Sequence, residues 1–133
     1  MAPRFGRSGL FVSAVGALLL LTGCSSLQRS DVEQVATTFE NQSGDPEARC
    51  DLLLPTTRAA LEEQEQASCA EAIGDLPLQG GDAGEIQVWG DDAQVKVGSD
   101  TVFLNETSSG WRVAAAACTP REDQPYDCEV EGP

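Results

Sequence analysis

The sequence predicts an α+β domain, with helices first and then an antiparallel meander of four strands. Three observations predict it. Apolar residues over 30–73 recur at helical spacing. Residues 74–84 form a break rich in Gly, Asp and Pro. Beyond it the hydrophobic period drops to two, and short turn sequences separate four strand-like runs. Helices gathered ahead of a meander pack on one face of its sheet.

The first helix is expected over 30–44. Ser30 and Glu33 match a capping box, in which each side chain satisfies a free backbone amide at the helix start. Val32, Val35, Ala36 and Phe39 fall at i, i+3, i+4 and i+7 and form one apolar face. Asp45-Pro46 opens a second, shorter helix, with Asp as cap and Pro at the first helical position. It carries Ala48, Cys50 and the run Leu52-Leu53-Leu54, and Pro55 stops it. Thr56 or Thr57 caps a third helix through about Gln66, with Ala60 and Leu61 inward and Glu62, Glu63 and Glu65 outward. Residues 68–73 add one further helical turn.

The strands are expected over 85–89, 93–97, 101–105 and 111–117. Gly90-Asp91-Asp92, Gly98-Ser99-Asp100 and Thr107-Ser108-Ser109-Gly110 separate them and suit hairpin connections. Ile86 and Val88 alternate with Gln87 and Trp89, and Val95 and Val97 flank Lys96, so one face of the meander is buried.

The chain begins differently. Arg4 and Arg7 make its first residues basic, and no acid precedes Asp31. Residues 10–21 are apolar. Such a run is too short for a membrane-spanning helix, which needs about 20 residues, but it suits the core of a signal peptide. Leu21-Thr22-Gly23-Cys24 follows at once. The motif resembles the lipobox of bacterial lipoproteins. The resemblance implies cleavage between Gly23 and Cys24 and a diacylglyceryl group on the Cys24 thiol. Residues 1–23 are then a lipoprotein signal peptide, 24–29 a short lipidated tether, and 30–133 a single domain. The expected location is the extracytoplasmic face of the cell membrane, with the lipid as anchor. Five or six tether residues span at most about 20 Å, which keeps the domain close to the bilayer.

Composition narrows the function. The net charge is −14, and removing the leader takes two basic residues and no acid, leaving −16. Such a surface repels nucleic-acid phosphates and anionic headgroups, so no nucleic acid is expected as a partner. The chain has no histidine. That removes the usual neutral-pH base and the commonest metal ligand, and with them Ser-His-Asp and Cys-His catalysis. No catalytic residue, metal-ligand set or cofactor is assigned.

The five cysteines resolve once Cys24 carries a lipid. Cys50, Cys69, Cys118 and Cys128 remain, an even number in an exported chain, and they allow three disulfide connectivities. Cys50–Cys69 with Cys118–Cys128 is the preferred pairing, since each bond closes a local loop worth roughly 3 kcal/mol. The second loop holds Pro120 and Pro125 with little apolar material to shape it.

Cys50-Asp51-Leu52-Leu53-Leu54-Pro55-Thr56-Thr57-Arg58, Val88-Trp89-Gly90-Asp91, Asp100-Thr101-Val102-Phe103-Leu104, Gly110-Trp111-Arg112-Val113 and Pro125-Tyr126-Asp127-Cys128 are similar to segments of small secreted lipoproteins of actinobacteria. The arrangement resembles a cystatin-like or NTF2-like cone. Such cones hold ligands between a curved sheet and a long helix, so the resemblance offers Trp89, Phe103, Trp111 and Arg112 as candidate ligand-binding residues. Core filling and surface pairing account for the same residues.

The sequence favours a non-catalytic, membrane-anchored module that binds an envelope protein or a small ligand. One alternative is a small NTF2-like envelope enzyme using an Asp in the cone. Asp82, Asp91 and Asp92 are its candidates, although aspartate is also a common turn residue. A second alternative is an extracytoplasmic cation-binding protein.

Overall fold

A computed structural model describes residues 23–123 and 125–133. The signal peptide expected over 1–23 lies, but for Gly23, outside the described residues.

The helices are α1 (Gly23–Glu40), α2 (Pro46–Cys50), α3 (Pro55–Glu65) and α4 (Cys69–Ala72). The strands are β1 (Ala83–Trp89), β2 (Asp92–Val97), β3 (Asp100–Thr107), β4 (Gly110–Thr119) and β5 (Asp127–Glu131). The class is α+β. The sheet has five antiparallel strands in the order β1-β2-β3-β4-β5, not the four expected. The missed strand is β5. Its sequence, Asp-Cys-Glu-Val-Glu, offers one apolar side chain in the core, Val130. Its place comes from outside its own pattern: Ala116 pairs with Val130, and the Cys118–Cys128 disulfide sits in the ladder itself. A cross-strand bond can hold a strand whose own hydrophobic signal is too weak to announce it.

Helix α1 also differs from expectation. It runs continuously from Gly23, so Ser30 lies inside it rather than capping it. Residues 24–29 contain no Gly or Pro to break the helix, and a capping sequence acts as a cap only where the preceding chain leaves the helix. The apolar face stands where the periodicity put it. Val32, Ala36 and Phe39 are fully buried and Val35 is partly so. They pack with Val95, Val97, Val102, Leu104 and Val113 from the sheet. Removing a side chain of this size from water contributes about 1.5–3 kcal/mol.

The shorter helices follow local chemistry. The Asp45 carboxylate accepts the Ala48 amide at 2.8 Å, and Pro46 opens α2. Helix α3 starts one residue ahead of its expected threonine cap, with Pro55 at the first position. Between α2 and α3 the chain runs beside β4. Val113 donates to Leu52 O at 2.8 Å and accepts from the Leu54 amide at 2.9 Å, beyond the point where β5 stops. Cys50 joins Cys69, with Cα atoms 6.1 Å apart, and ties α2 to α4.

Candidate functional site

Two groupings stand out: a cleft beside β3 and β4, and a set of charged side chains buried under the end of α1.

The cleft encloses about 410 Å³. Phe103 and Asn105 of β3, Ala114 and Ala115 of β4, Thr56 and Thr57 at the start of α3, and Pro125, Tyr126 and Glu131 around β5 line it. Strand alternation explains why Phe103 is available. Val102 and Leu104 point into the core, so Phe103 between them stays half-buried on the other side. Tyr126 meets it edge-on, with ring centroids 5.0 Å apart at 72°. Gln94 steadies that ring by donating to its hydroxyl at 3.4 Å. Thr57 donates its hydroxyl to Ala114 O at 3.0 Å and fixes α3 against β4. The result is an aromatic-floored cleft with a few polar groups at its rim. Its lining side chains include the hydroxyls of Thr56, Thr57 and Tyr126, the Asn105 amide and the Glu131 carboxylate.

The candidate ligand residues do not gather here. Only Phe103 lines the cleft. Trp111 is core, 4% exposed, and Arg112 beside it donates to Trp111 O at 2.8 Å. Trp89 ends the edge strand β1 and is 49% exposed. Asp82, Asp91 and Asp92 are exposed, and none lines the cleft; Asp92 accepts a hydrogen bond from Asn105. Tyr126 is the residue that sequence reasoning passed over as a site component. Its signal was a lone aromatic in a Pro-containing loop, two residues from a cysteine.

The buried set consists of Glu40, Asp100 and Arg49, which are 0%, 6% and 2% exposed. Asp100 is held by the backbone. One of its oxygens accepts the amides of Thr101 and Cys118, each at 2.6 Å, and the other accepts Ala117 N at 2.9 Å. Ala117 has φ of +53°, a left-handed conformation that costs a non-glycine residue about 1 kcal/mol or more. Glu40 accepts the Gln79 amide at 3.2 Å through one oxygen. Burial, and then its hydrogen bond and charge repulsion with Asp100, push the Glu40 carboxyl up to about 8, against the pull of the Gln79 and Gly80 amides. Near neutral pH Glu40 is therefore mostly in its protonated form beside Asp100. Arg49 donates from Nε to Phe39 O at 2.8 Å and lies 5.9 Å from the Phe39 ring centre. Burial lowers its pKa from the ordinary guanidinium value, and the Glu40 charge opposes that shift. This set holds the end of α1 to the start of β3.

Among the described residues, no three Cys, Asp or Glu side chains converge to hold a metal ion. No described helix is long and apolar enough to cross a membrane. No protein-family model, curated protein or solved structure matches the chain.

Proposed function

We propose that this chain is a lipid-anchored, non-catalytic binding module of the bacterial cell envelope. Cys24 carries the anchor, and the Phe103–Tyr126 cleft takes a small, largely apolar ligand. The observation that carries the binding role is the cleft itself. Its volume of about 410 Å³ falls in the usual range for ligand sites, roughly 300–1,000 Å³, and an apolar floor with few polar groups is their usual chemistry. The non-catalytic reading is supported by how the lining hydroxyls are engaged: Thr57 donates its own to Ala114 O and Tyr126 accepts from Gln94, so neither is held by a base. The anchor is supported by Leu21-Thr22-Gly23-Cys24 after the apolar run.

Two experiments test the two halves. A Cys24→Ala variant expressed in the native host is expected in the medium; its retention in the membrane fraction overturns the anchor. A fragment screen followed by NMR is expected to perturb the amides of Phe103, Asn105 and Tyr126 together. A screen whose hits all fall elsewhere overturns the cleft as the site.

A further inference from the structure

Among the described residues, two large apolar side chains stand exposed, Leu27 at 67% and Trp89 at 49%. They belong to different elements but to one end of the molecule. Helix α1 runs antiparallel to β1. At one end Glu40 meets the Gln79 amide and Gln42 the Leu78 carbonyl; at the other, Arg29 Nη1 donates to Ile86 O at 2.7 Å. Leu27 precedes Arg29 by two residues, about 3 Å of helix. Trp89 follows Ile86 by three, about 10 Å of strand. Both therefore lie beyond the Arg29–Ile86 contact, on the same side of it. Cys24 lies three residues before Leu27, less than one further turn of the same helix.

We propose that this end of the domain is a membrane-contact surface, in which Trp89 and Leu27 settle into the zwitterionic interface of the bilayer that holds the anchor. The inference rests on the lipid anchor proposed for Cys24. Continuity with that anchor selects the occupant. A lipid attached at the start of α1 brings this end, and no other, to the bilayer surface. The residue types agree, since tryptophan favours the headgroup level, where its ring is buried and its N–H stays wet. The charge agrees as well. Asp91 and Asp92 follow Trp89 closely in the chain and are exposed, as is Asp31 two residues beyond Arg29 on α1, so anionic headgroups are disfavoured and zwitterionic ones accepted. The helical form of 24–29 makes the contact specific, because a rigid helix holds the domain in one orientation where a flexible tether would let it tumble.

The test uses the lipidated mature protein in phosphatidylcholine vesicles with brominated acyl chains, which quench nearby indoles. The chain has two tryptophans, and Trp111 is enclosed in the core. Emission is expected to fall by roughly half on vesicle binding, through the amphipathic Trp89 ring alone. A Trp89→Phe variant, altered at an exposed position, is expected to lose almost none. Protein that floats with the vesicles but shows the same quenching in both forms overturns the contact surface and leaves the anchor standing. Protein that does not float with the vesicles overturns the anchor and this inference with it.

Discussion

Glu40 is the residue whose behaviour depends most on solution conditions. Its carboxyl has an ordinary value of 4.5 and is pushed up to about 8 in the folded chain. Between those values the folded protein holds a proton that the unfolded chain has released. Unfolding free energy therefore falls as pH rises through that window, by at most about 1.4 kcal/mol per unit. The contribution is complete below about 4.5 and gone above about 8. Glutamine is isosteric with the protonated acid. It keeps an oxygen to accept from Gln79 N, and it does not titrate. Glu40→Gln is expected to match the wild type near pH 5 and to exceed it increasingly up to pH 8, measured by urea denaturation at each pH. Parallel curves for the two proteins would mean that Glu40 is ionised when folded. The sequence held a trace of this residue. Val32, Ala36 and Glu40 continue one stripe at four-residue spacing, so Glu40 fell on the apolar face. Its acidity hid it, because a helix-end glutamate is ordinarily solvated. The partner that lets it be buried, Asp100, lies sixty residues away and looked like a turn residue.

Among the elements, β5 shows where periodicity runs out. The first four strands were legible because Val and Ile alternate with polar residues between turn sequences. Strand β5 has Val130 alone, and what holds it is the Cys118–Cys128 bond and the ladder to β4. Without that bond β5 has little to retain it. The Cys118→Ala, Cys128→Ala double variant is expected to lose roughly 2–3 kcal/mol. Amide exchange at 127–131 should rise well above that of β2 and β3, which keep their own core contacts. Exchange that stays slow in β5 would show that the ladder and Val130 suffice. Since Tyr126 just before this strand and Glu131 at its end line the cleft, the same variant should also blur the binding surface. Helix α1 is the opposite case. Its face was legible and its start was not, since the capping pattern at Ser30 competes with a preceding stretch equally able to be helical.

The acidic balance is a property of the whole molecule, and the fold does little to relieve it. The ion pairs among the described residues use Arg58, which meets Glu47, Asp51 and Glu62, and Arg121, which meets Asp127. Arg29, Arg49 and Arg112 donate to backbone carbonyls. Most of the 22 acids thus repel one another across the surface, and compaction brings them closer than they are in the unfolded chain. Salt shortens the range of that repulsion from about 30 Å at 0.01 M to about 10 Å at 0.1 M. Raising sodium chloride across that interval is expected to increase the melting temperature by on the order of 5 °C, the shift that about 1 kcal/mol produces in a domain of this size. The ion used separates two causes. Screening depends on ionic strength, so calcium chloride at matched ionic strength should give a shift of similar size. A clearly larger rise with calcium would mean that some acids converge on a cation, and would move this surface from passive solubility to a binding role. A melting temperature that ignores salt altogether would mean that the acids lie too far apart in the folded chain to interact, and that the negative surface costs the fold nothing.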